Sequence, residues 1–226
     1  FSGRSGPSRK QTLSCDYWML GLGATCLRCL LVQQEAPVSS IQYKHPVVTT
    51  QQGSSSNHMN DLERYVRQGK FIFNQGKRWL ADLTDDHLAL EPIPGTKTAG
   101  WLVGHLSVTG DFGRRICGLT PMCPKEWRTI FNPGTFPSLD RSIYPPMADL
   151  REMVGNVYRD FFTSAHNATD EVLAQPNPYT PALQAFPTAG DFAAYLMTGH
   201  LAHHFGQLGS WHAAAGLRKS AAPVAD

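Results

Sequence analysis

Ten prolines set the first limits on this chain: six between residues 121 and 146, and four between residues 176 and 187. Proline lacks an amide hydrogen and clashes with the preceding helical turn, so no long helix runs through either stretch. Elsewhere beyond residue 58 the apolar residues recur at helical rather than alternating spacing. Leu62, Tyr65, Val66, Ile72, Phe73, Trp79 and Leu80 predict a first helix over residues 61–83, with Asn60 or Asp61 as N-cap. Pro92, Pro94 and Gly95 mark a loop, and a second helix runs from Thr96 or Thr98 to Gly118. A third is expected from about Met147 to Leu173, and a fourth from about Thr188 to Ala215, ended by Gly216. Thr188, with Asp191 three residues on, approximates a capping box. No segment alternates long enough to suggest a sheet. The expected fold is therefore all-α, a four-helix bundle with a long proline-rich loop between helices 2 and 3. That loop, with one short turn around residues 125–129, is placed to border a pocket.

Charge separates the chain into parts. Residues 1–58 carry five Lys or Arg and two Asp or Glu, while the remainder carries 15 and 16. The basic excess thus belongs to the N-terminal stretch, and the rest offers no basic stripe for nucleic acid. Residues 17–32 are apolar but interrupted by Arg28, and they fall short of the roughly 20 residues a membrane span needs. Residues 33–58 have the Gln, Ser and Thr content of a linker. Residues 1–58 are read as an N-terminal extension, disordered or foreign to the natural product, with Met59 as the working start; a signal or membrane role is the competing reading. The bundle is assigned to residues 59–217 and a tail to 218–226. Five cysteines are too few for a disulfide scaffold, and Cys26–Cys29 is a lone CxxC without a second pair. A cytoplasmic setting is the default.

The chemistry gathers on histidine. His200, His203 and His204 fall within five residues of the fourth helix. Residues i and i+4 share a helix face, so His200 and His204 can bind one metal ion, while His203 points about 60° to the other side of His200. A third ligand from a neighbouring helix would leave coordination positions open, as in a reactive rather than a structural metal site. His105, on the apolar surface of the second helix, is the candidate. The bland alternative for a lone His105 is a hydrogen-bonded core histidine. His212 reads as a packing residue, His87 and His166 as solvated, Trp101 and Trp211 as core or pocket wall. Gln207 is placed to hydrogen-bond near the site, and Thr109 is the nearest group for orienting a ligand.

Gly-Trp-Leu-Val-Gly-His105-Leu on the second helix and His200-Leu-Ala-His-His204-Phe-Gly-Gln-Leu on the fourth resemble the DinB-like superfamily. The resemblance covers residues 59–217. It implies a four-helix bundle whose His105, His200 and His204 hold a divalent metal, zinc or nickel first, with iron or manganese as alternatives. It also implies a homodimer. No nucleic-acid or membrane partner is expected from the charge and hydropathy pattern. The family includes thiol-dependent transferases and isomerases using low-molecular-weight thiols such as bacillithiol or mycothiol. The expected function is a metal-dependent S-transferase, isomerase or hydrolase that activates a thiol or water against a small-molecule substrate. A non-catalytic stress-response bundle binding metal or a small ligand is the alternative. No protein nucleophile or general base is identified.

Overall fold

The computed structural model describes residues 62–217. The expectations for residues 1–58, including the apolar stretch and the CxxC pair, and those for the 218–226 tail lie outside the described residues. Within them the chain is all-helical: α1 Glu63–Gly76, α2 Arg78–Ala81, α3 Ala99–Ile116, α4 Trp127–Phe131, α5 Met147–Asn167, α6 Asp170–Leu173, α7 Ala189–Tyr195 and α8 Leu201–Ala214. A π-turn, Leu196–His200, joins α7 to α8 in one continuous rod. The only β-like pairing among the described residues is a single bridge between Pro176 and Thr188.

The four expected long helices are present, two of them broken. The first ends at Gly76 and restarts as α2. The third ends at Asn167, where Ala168 is extended, and Thr169 caps the amide of Val172 to start α6. A Ser/Thr oxygen before a helix satisfies an amide that lacks an intrahelical acceptor, so a mid-pattern Thr can restart a helix as well as sit within one. Thr98 caps α3 in the same way through Trp101 N, and Thr188 with Asp191 forms a capping box in which both halves are made. Gly216 closes the fourth helix at φ +73°, a left-handed position suited to glycine.

Segment 117–146 is not free of structure. It contains α4 and a 3-10 turn, Arg141–Ile143. It is pinned to the bundle at its start by a buried ion pair. Arg114 Nη1 lies 2.8 Å from Asp111 Oδ1, which also accepts the amide of Met122, and Arg114 Nη2 reaches Asp160 at 3.2 Å. Farther on, the Phe131 ring packs so closely on α3 that a Cβ at Gly104 would collide with it.

α3 is the central element. Only Phe112 and Arg115 of its residues escape full burial. It meets α5 through Gly110 and Gly113, whose missing side chains leave room for Tyr158 and Phe161. Val154, Val157, Tyr158 and Phe161 of α5 are fully enclosed. Burying each such side chain contributes roughly 1.5–3 kcal/mol. The rod of α7, π-turn and α8 lies against α1 and α3. No helix among the described residues is long and apolar enough to cross a membrane.

Candidate metal centre

His105 comes from the middle of α3, His200 from the last position of the π-turn and His204 from the first turn of α8. All three rings are buried, at 3 %, 1 % and 6 % exposure. Their ligand atoms lie within 4.8 Å of one another. Ring centroids stand 5.2 Å apart for His105 and His200, 4.6 Å for His105 and His204, and 4.4 Å for His200 and His204.

Hydrogen bonds decide which nitrogens face inward. His105 Nδ1 lies 2.7 Å from the carbonyl oxygen of Phe131. A carbonyl only accepts, so the neutral ring carries its proton on Nδ1 and leaves Nε2 bare. That Nε2 stands 3.2 Å from His200 Nε2. His204 Nδ1 lies 2.7 Å from Gln207 Oε1. His200 Nδ1 is buried with no hydrogen-bond partner.

The environment keeps His200 and His204 neutral. Burial, with lesser contributions from His105 and His203, holds His200 well below the usual histidine value. Burial lowers His204 in the same way, aided by His200, His105 and His203 and partly offset by the Gln207 acceptor. Neutral imidazole is the form that ligates a metal.

The donor set fits a divalent cation. Nitrogens at about 2.05 Å from a tetrahedral ion stand roughly 3.3 Å apart, close to the 3.2 Å between His105 Nε2 and His200 Nε2. The cluster contains no carboxylate or thiol. Cys117 and Cys123 lie outside it, and burial pushes their thiols up to about 11 and about 12.

Neighbouring side chains fix the rings further. Trp101, one turn before His105, stacks on it at 4.6 Å and an interplanar angle of 10°. Its indole donates to Thr135 Oγ1 at 2.9 Å, and the Lys97 ammonium stands 3.9 Å from its ring centroid. The end of α4 and the residues just after it therefore reach His105 twice, through the Phe131 carbonyl and through Thr135 and Trp101.

A family model described as the DinB superfamily matches residues 77–208. The chain belongs to the DinB superfamily. The match spans α2 to most of α8 and includes all three histidines. Nothing matches the chain among curated proteins or among solved structures.

In this DinB-superfamily chain the other histidines have separate roles. His203 is exposed beside His204. His212 is buried and its Nε2 pairs with the carbonyl of Trp79 at 2.5 Å, a packing role. His166 is exposed, as expected. His87 is not simply solvated: half-buried, it accepts the amide of Thr84 in a capping box and meets the Trp211 ring edge-on. Thr109 donates its hydroxyl to the carbonyl of His105 at 2.7 Å and is held in its own helix. The Phe131 carbonyl has no sequence signature of its own. Gly104, beside His105, is the indirect one, because it admits the Phe131 ring.

Proposed function

We propose that this chain is a metal-dependent enzyme in which His105, His200 and His204 hold a divalent cation, zinc or nickel first. The observation that carries the reading is the convergence of three buried imidazoles with ligand atoms within 4.8 Å. Bound there, such a cation supplies Lewis acidity and lowers the pKa of a coordinated thiol or water.

The chain's own residues do the rest. The Phe131 carbonyl holds the proton of His105 on Nδ1, and Trp101 stacking fixes the plane of that ring. Burial keeps His200 and His204 unprotonated and withdraws all three rings from water. The reaction class we favour is S-transfer or isomerisation with a low-molecular-weight thiol, or hydrolysis, on a small electrophilic substrate. A homodimer in the cytoplasm is the setting proposed for it. Thiol-transfer assays with glutathione, bacillithiol and mycothiol against reactive electrophiles test this. Metal-dependent turnover with one thiol supports it, and none with any of them or with water overturns the enzymatic reading.

The burial of all three rings favours a second reading, a bundle that binds metal or a small ligand without turnover. It predicts metal-dependent stabilisation and no catalysis in the same assays.

A further inference from the structure

The three rings differ in what anchors Nδ1. His105 meets a main-chain carbonyl, His200 meets nothing, and His204 meets the side-chain amide of Gln207. A carbonyl dictates the tautomer, whereas an amide can serve either one. With Oε1 facing Nδ1, at 2.7 Å, the His204 proton stays on Nδ1 and Nε2 is bare. With the amide turned round, its NH2 group would donate to Nδ1. The proton would then sit on Nε2, and that nitrogen would be closed as a ligand.

We propose that Gln207 is a positioning residue that fixes the tautomer and ring orientation of His204, so that Nε2 is presented to the cation. The proposal rests on the three-histidine reading of the site, but its first step concerns the protein without metal. Gln207 lies three residues after His204 in α8, where side chains at i and i+3 are neighbours. The bond is therefore internal to one helix. It persists through adjustments between helices that would disturb the contact from Phe131 in α4 to His105 in α3. It also explains how the histidine with the greatest exposure of the three, at 6 %, keeps a defined orientation. Partners on the second nitrogen of a ligating histidine set its tautomer and raise its basicity, and losing one typically weakens metal affinity 10–100-fold.

The test uses the full chain as wild type, Q207L, Q207M and Q207E. In metal-stripped, 15N-labelled protein at mildly alkaline pH, long-range proton–nitrogen correlations report which His204 nitrogen carries the proton. Wild type and Q207E, whose carboxylate only accepts, should carry it on Nδ1. Q207L and Q207M should shift it to Nε2. Zinc affinity, read by competition with a chromophoric chelator, should fall roughly 10–100-fold in Q207L and Q207M and be retained in Q207E. A wild-type proton on Nε2 overturns the proposal, as does a Q207M protein that keeps both the Nδ1 proton and wild-type affinity. If the tautomer follows Gln207 but no variant takes up zinc, the positioning role stands and the metal reading fails.

Discussion

His105 Nε2 and His200 Nε2 stand 3.2 Å apart although 95 residues separate them in the chain. Because the Phe131 carbonyl takes the His105 proton on Nδ1, the two facing nitrogens have one arrangement available without a cation: His200 Nε2 donates and His105 Nε2 accepts. His200 Nδ1 is then a bare, buried acceptor with no donor. A buried polar atom without a partner costs on the order of 1–3 kcal/mol. The metal-free site is thus poorly satisfied.

Metal removal should therefore be visible in stability as well as in metal content. Purified protein should carry about one divalent ion per chain, the number a single three-histidine site accommodates. His204→Ala should lose it. A ligand at a hundred times its Kd stabilises the folded state by about 2.7 kcal/mol, so chelation should lower the Tm of the wild type and leave that of His204→Ala unchanged. Elemental analysis paired with thermal melts checks both. Unchanged metal content in the variant would remove His204 from the ligand set.

Acid should destabilise the metal-stripped protein. Burial holds His200 and His204 well below 6.5, the value for a free histidine. Below about pH 6.5 the unfolded chain takes up protons on these rings that the folded protein refuses. Stability is thus full above that pH and falls as pH drops toward the folded-state values, by up to about 1.4 kcal/mol per pH unit for each ring. Urea midpoints of the stripped protein between pH 7.5 and 5 measure the slope. A His200→Gln/His204→Gln variant should show a shallower one, and equal slopes would refute the assignment.

Much of this was legible in the sequence because it rests on short-range rules. Proline clusters, Thr188 as a cap, and Gly216 as a terminator mark where helices can and cannot run, and they do so here. The histidine trio followed from i, i+4 spacing and the motif around His105. The π-turn did not, yet its signature is present. Buried residues recur every four positions, at Phe192, Leu196, His200, His204, Leu208 and His212. On an α-helix each step of four overshoots a full turn by about 40°, and the wider π-turn takes part of that drift back. The Phe131 carbonyl stayed hidden because it depends on a tertiary contact that local spacing does not encode. The restart at Thr169 rests on a local cap, and a Thr inside a helical pattern is compatible with both a restart and a continuous helix.

Asp111 should matter more for stability than its polar character suggests. Its carboxylate is 3 % exposed, pairs with Arg114 at 6 % exposure, and accepts the Met122 amide. Asp160, the second partner of Arg114, is 40 % exposed and compensates less. Removing one member of a buried pair costs about 3–5 kcal/mol, whereas replacing both with apolar groups often costs far less. Urea unfolding of Asp111→Ala, Arg114→Met and the double variant should therefore show strong positive coupling. Additive losses would mean the pair is not the anchor of segment 117–146.

Gly69 and Gly155 should respond oppositely to alanine. Gly155 lies within α5 with nothing near an added Cβ, so alanine should stabilise by about 0.5–1 kcal/mol through helix propensity alone. At Gly69 in α1 an added Cβ would stand 2.7 Å from the Met197 carbonyl oxygen and 2.6 Å from the Phe162 ring. Met197 belongs to the π-turn that ends in His200, so α1 and the π-turn have to separate. Overpacking of this kind costs about 1–3 kcal/mol, and the displacement is passed along the helix to a proposed ligand. Gly69→Ala should therefore lower both the Tm and the affinity for zinc, while Gly155→Ala raises the first and leaves the second alone. Thermal melts and chelator competition on the two variants read both quantities. A Gly69→Ala protein with lowered Tm but unaltered zinc affinity would separate the π-turn from the metal site.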